Sequence, residues 1–126
     1  MILETGKILD PNIKITATTV RVPVIKSHSE SLNIQTKKKF EINEIKELLR
    51  NSPGIEIEDN PEEHIYPTPL NSSGKNSVFV GRIRRDFSTS NSMNLWCVSD
   101  NLRKGAALNA VQIAEELINR NLVRVP

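Results

Sequence analysis

The chain has 126 residues, a formal net charge of +2, 37% apolar and 25% charged residues, and only 4% aromatic ones. That length holds one domain with room for a core, and so small a charge gives no footing for nucleic acid as the partner. No apolar run is long enough to cross a bilayer, no signal sequence opens at Met1, and Cys97 is the single cysteine, so a cytoplasmic domain without a disulfide is expected.

In chain order, Ile2 to Leu9 carries apolar residues at 2, 3, 8 and 9, as the last turns of a helix would, and Asp10-Pro11 ends it. Ile13 to Ile25 is rich in β-branched residues and predicts a strand. Its Val20, Val22 and Val24 share one face, which turns Arg21 to the other, and Pro23 marks an edge or an exit. Leu32 to Lys38 alternates apolar and polar residues as a half-buried strand does. Glu41 to Arg50 sets Ile42, Ile45, Leu48 and Leu49 on one helical face, and Ser52-Pro53-Gly54 stops that helix.

Ile55 and Ile57 suit a short strand, and residues 59 to 76, rich in Pro, Asn and Ser, form a long connection of the kind that is usually functional or part of an interface. Ser77 to Arg84 and Met93 to Ser99 predict two strands closed as a hairpin. Asp100 or Asn101 then caps a helix from Arg103 to about Asn119, whose alanine-rich apolar stripe favours close approach to another surface. The expected fold class is α+β: a mixed or mainly antiparallel sheet with helices packed on one face, truncated at its N-terminal side and ending in a long C-terminal helix.

Arg21 and His28 are the leading site candidates. A guanidinium fork suits a carboxylate, and an imidazole carries a proton near neutral pH. The bland alternative is a structural ion pair for Arg21 and an exposed turn for His28. His64, behind Pro61, Glu62 and Glu63, reads as a solvated loop residue. Cys97, in a strand between Trp96 and Val98, has no cation beside it and reads as an inert core thiol. Two histidines and one cysteine, widely scattered, lack metal-ligand spacing, so no metal is expected. Lys37-Lys38-Lys39 and Arg82-Ile83-Arg84-Arg85 are basic clusters without interleaved aromatics; they read as a solvated strand end and as arginines facing acidic groups across a subunit interface. Gly105 alone is too little for a phosphate-cradling loop.

Several stretches resemble aspartate-semialdehyde dehydrogenase in that family's order: Glu4 to Leu9, Ala17 to Val24, His28-Ser-Glu30, Tyr66-Pro-Thr-Pro-Leu70, Val80-Gly-Arg-Ile-Arg-Arg85, Asn94-Leu-Trp96, and above all Asp100 to Gln112. The resemblance covers nearly the whole chain but only the C-terminal third or so of a family member. It implies conversion of aspartyl phosphate to aspartate semialdehyde with NADPH, on the route to lysine, threonine and methionine. It implies that a cysteine attacks the acyl phosphate and that hydride reduces the resulting thioester. By the same resemblance Arg21 holds the substrate carboxylate, His28 is the general acid/base, and Asn101 contacts the NADP cofactor.

It further implies a division into residues 1–99, part of the catalytic and dimerisation domain, and residues 100–126, a C-terminal helix that packs on a dinucleotide-binding domain. The full-length form is then a homodimer or homotetramer acting on a small-molecule substrate, with neither nucleic acid nor membrane as partner. The family's nucleophilic cysteine and glycine-rich phosphate loop have no counterpart here, since Cys97 does not match the cysteine motif. Gly6 and Thr19 also depart from the usual residues. The expectation is therefore an isolated chain without activity, because no thiolate is present to form the acyl-enzyme. The alternative is a non-catalytic interaction module that pairs with a full-length subunit.

Overall fold

The structure, a computed structural model, describes residues 2–123. Met1 and residues 124–126, the ends of the first and last predicted segments, lie outside the described residues. The elements run α1 (Ile2–Ile8), β1 (His28–Gln35), α2 (Ile42–Arg50), β2 (Ile55–Ile57), α3 (Pro69–Ser72), β3 (Val78–Asp86), β4 (Ser92–Ser99), a π-helical turn (Arg103–Ala107) and α4 (Leu108–Asn119). Four strands form one mixed sheet in the order β1-β4-β3-β2. The β1–β4 and β3–β4 pairs are antiparallel, and β2 joins β3 in parallel at the edge.

Alternation sorts the two faces of this sheet. Leu32 and Ile34 of β1, Met93, Leu95 and Cys97 of β4, and Val78 and Val80 of β3 point to one side, where Phe40, Ile42, Ile45 and Leu49 pack against them. Simple period two would next bring Arg82 to the core. A β-bulge between Gly81 and Arg84 inserts a residue, so Ile83 returns to the core and Arg82 stays exposed. Arg82 takes φ of 55°, and its N–H donates to Asp59 Oδ1 (2.7 Å), while Asp59 Oδ2 pairs with Lys46 Nζ at 2.8 Å. The bulge is thus held from α2 through a buried carboxylate. Gly81 lies where a Cβ would come within 2.2 Å of the Glu58 carbonyl oxygen, so only glycine lets these two backbones approach.

Helix α2 begins with a reciprocal capping box between Glu41 and Glu44, and its apolar side closes the core. The opposite sheet face is partly roofed by the connection from residue 59 to 76. Pro67 is buried there, Trp96 Nε1 donates to its carbonyl (3.0 Å), and the Lys75 ammonium sits 4.8 Å from the Phe79 ring centre. That connection includes the short helix α3, with Pro69 at its start and Thr68 as N-cap, which its Pro-rich composition concealed.

One expected strand is absent. Ile13 to Ile25 is irregular and exposed, with short-range backbone bonds such as Val24 N–H to Val22 O (2.9 Å) in place of a ladder. β-branched composition marks a segment suited to a sheet, but a strand needs a neighbour, and no described strand lies beside this one. The strand expected at Leu32 starts earlier, at His28, and ends at Gln35. The last helix is not continuous: Ala106 (φ −144°, ψ −114°) breaks it between the π-helical turn and α4. Its apolar side chains, including Val111, Ile113 and Ile118, remain exposed, as do Leu3 and Ile8 of α1.

Candidate active-site junction

Strands β1 and β4 meet at His28 and Ser99, and the chain segments that flank this pair cross each other there. Before His28, Ser27 adopts φ of 79° and is 3% exposed. Its N–H donates to Asn101 Oδ1 at 2.8 Å. Its hydroxyl donates to the Pro69 carbonyl (3.2 Å) and accepts from Ser72 Oγ (2.9 Å), which is itself buried. A side chain in the left-handed region persists only where its surroundings over-determine it, and here three partners from two other segments do so.

Asp100 fixes the other side of the junction. Its carboxylate accepts from Gly74 N–H (2.7 Å) and Leu102 N–H (2.9 Å), and its carbonyl accepts from the N–H groups of Arg103 and Lys104. The Gly74 amide foremost, and then the Leu102 amide, hold its pKa below the ordinary aspartate range against the opposing effect of burial; the Lys26 charge adds to them. Asp100 thus ties down the turn that enters the π-helical segment, whose cap residue, Leu102, makes no side-chain capping bond. Asn101 turns instead toward Ser27.

The sequence candidates divide accordingly. His28 and Asn101 are brought to one junction, linked through Ser27. Arg21 lies in the irregular segment, exposed, and makes no hydrogen bond or ion pair among the described residues. His64 is exposed in its loop. Cys97 faces the core, where burial and then the Glu30 charge push its thiol up to about 11, so it is a neutral thiol at pH 7. The basic run Lys37 to Lys39 is exposed, and the Arg85 guanidinium stacks 4.7 Å from the Phe40 ring centre. Arg82 and Arg84 border an open hollow of about 560 Å³ on the face away from α2, with Ser31, Tyr66, Thr68 and Trp96. Sequence reading missed Ser27, Ser72 and Asp100 as the fasteners of the site. Buried serines carry no periodic signal, and the clue available was the adjacent Asp100-Asn101 pair, whose expected roles were a helix cap and, for Asn101, a cofactor contact.

The family model for the semialdehyde dehydrogenase dimerisation domain matches residues 1–104. The chain belongs to the semialdehyde dehydrogenase family. Among curated relatives, aspartate-semialdehyde dehydrogenases of Aquifex aeolicus and Bacillus subtilis are 48% and 49% identical over 98% of this chain. The chain spans 36% of the length of each of these relatives. Among solved structures, aspartate semialdehyde dehydrogenase II of Vibrio cholerae, complexed with ASA, superposes with a TM-score of 0.86 at 42% identity, covering 94% of this chain and 35% of that one. The Candida albicans enzyme, with NADP, gives 0.69 at 27% identity over 92% of this chain and 36% of its own. The mixed sheet with its C-terminal helix is thus a semialdehyde dehydrogenase fold, and the dimerisation domain that it matches is an oligomer-forming one.

Proposed function

We propose that this chain supplies the substrate-side and subunit-contact portion of an aspartate-semialdehyde dehydrogenase, a cytoplasmic enzyme that reduces aspartyl phosphate to aspartate semialdehyde. The observation that supports the reading most directly is the junction itself: His28 opens β1 immediately after a pinned turn, and Asn101 is the residue that pins it. His28 is the proton carrier in this reading, exposed at the end of a rigid strand where a substrate can reach it. Arg21, exposed and uncommitted, holds the substrate carboxylate in a bidentate grip.

The residues present fit one edge of NADP. Asn101 spends its carboxamide oxygen on Ser27, and its NH2 group donates to nothing among the described residues, so it is free to meet an acceptor on the nicotinamide. When bound, NADP exchanges hydride with the substrate carbon. Residues 1–99 serve as the catalytic and dimerisation part, and residues 100–126 as the arm that reaches the dinucleotide-binding part. The complete form assembles as a homodimer or homotetramer. Alone, the chain has no activated nucleophile, since its one thiol is half-buried and neutral, and we expect it to be inactive.

A chimera tests this reading. The N-terminal part of the Bacillus subtilis relative, joined to this chain in place of its own last third, is expected to form NADPH from aspartate semialdehyde and phosphate, while the isolated chain does not. His28→Gln in the chimera should lower kcat by about 10² to 10⁴-fold. Arg21→Lys should act mainly by raising KM for the semialdehyde. A soluble chimera that lacks activity, or one indifferent to His28→Gln, would overturn the assignment.

A second reading has its own support. The matched family is a dimerisation domain, and the hollow beside Trp96 carries Arg82 and Arg84 with no carboxylate paired to either among the described residues. A non-catalytic module pairing with a full-length subunit would use that domain alone. Co-purification with a full-length subunit by a chain carrying His28→Gln would favour this reading.

A further inference from the structure

We infer that Asn101 is a positioning residue for His28, acting through the amide of Ser27. This rests on the reading of His28 as the proton carrier, and adds to it a role for Asn101 that is independent of any cofactor. The bond from Ser27 N–H to Asn101 Oδ1 joins positions 74 residues apart, and it sits one peptide before His28. A buried N–H must find an acceptor, and in this turn the carboxamide oxygen is that acceptor. The left-handed φ of 79° at Ser27 sets the direction in which the chain enters β1. The hydroxyl bonds to Pro69 and Ser72 hold the side chain of Ser27, while among the described residues it is Asn101 that holds its backbone N–H. Asn101 is itself immobilised from behind, because Asp100 ties the preceding peptide to Gly74, Leu102, Arg103 and Lys104.

The path is therefore continuous, from the turn at Asp100 through one carboxamide to the peptide just before the residue that carries the imidazole. The same turn opens the C-terminal arm, so the start of the arm and His28 are linked by one bond. An acceptor oxygen is what the position requires: aspartate preserves it, and alanine deletes it.

The test uses this chain and nuclear magnetic resonance, with His64 as an internal control in an exposed loop. In Asn101→Ala the Ser27 amide should exchange with solvent about tenfold faster or more, while amides of Leu95 and Val98 keep their protection. The His28 imidazole signals should shift and broaden while those of His64 stay put. Asn101→Asp should restore both the Ser27 protection and the His28 signals. Ser27→Gly, which keeps the N–H and accepts positive φ, should leave His28 unchanged. Unaltered Ser27 exchange and His28 signals in Asn101→Ala would overturn the inference.

In the chimera, Asn101→Ala should lower kcat as well as raise KM for NADP. A rise in KM for NADP at full kcat would make Asn101 a ligand contact only, and would likewise overturn the positioning role. Activity that survives His28→Gln would remove the proton carrier instead, with the Ser27 result standing on its own.

Discussion

The sheet from His28 to Ser99 and the segments on either side of it are built from similar residues and behave in opposite ways. In the sheet, β-branched and apolar side chains find one another: Val80, Ile83, Met93 and Leu95 are buried under α2. In the flanks, Val20, Val22, Ile25, Ile113 and Ile118 are just as apolar and remain exposed, Ile25 completely. Composition is therefore not what separates them. The sheet closes on contacts within the chain, whereas the flanks carry the pattern of buried elements without the surface that would bury them. The candidate site lies on the seam, with His28 and Asn101 on the closed side and Arg21 on the open one.

Substitutions can sharpen this contrast, beginning with the most damaging. Gly81→Val puts a side chain into the Glu58 carbonyl and the Pro67 ring, and should cost about 3 kcal/mol or more, seen as loss of a cooperative urea transition. Leu95→Ala opens a cavity in the core and should cost about 2 to 4 kcal/mol in the same measurement. Ile25→Ser, equally drastic in polarity, should change stability by less than about 0.5 kcal/mol in this chain. A large loss from Ile25→Ser would break the division outright.

The smallest effects are those of titration. Asp100 is more acidic folded than unfolded, so its contribution is present above the ordinary aspartate value of 3.8 and is lost as pH falls through its lower folded value. Asp100→Asn should lower stability at neutral pH and flatten its decline in acid, measured as urea midpoints across that range. For Cys97 the sign reverses. Its thiol is raised from 9.0 to about 11, so the unfolded chain releases the proton first and stability declines as pH rises through that interval. Alkylation of Cys97 at neutral pH should accordingly be slow in the folded chain and fast in urea, and rapid native labelling would contradict its place in the core.

Much of the sheet was readable from alternation, since β3, β4 and α2 were each predicted within a few residues of where they lie. The bulge at Gly81 escaped because an inserted residue reverses alternation, and the pattern Val78, Val80, Ile83 has no single period. The segment from Ile13 to Ile25 misled for a different reason: its side chains signal a sheet, but pairing is a property of neighbours and not of the segment. At the site, Arg21 and His28 stood out by their chemistry, and Asn101 by resemblance alone. The structure adds what joins two of them, a hydrogen bond spanning 74 positions that no local pattern encodes.

Trp96, the only tryptophan, has its indole N–H tethered to Pro67 and its ring bordering the hollow that holds Arg82 and Arg84. The molecule thereby carries a single indole fluorophore, selectively excited at the red edge of its absorption, on the face opposite its core. A blue shift and intensity change on mixing would report a second subunit settling there, and loss of the Pro67 tether would register as altered anisotropy. Assembly can thus be followed by light, without a label and without touching the junction at His28.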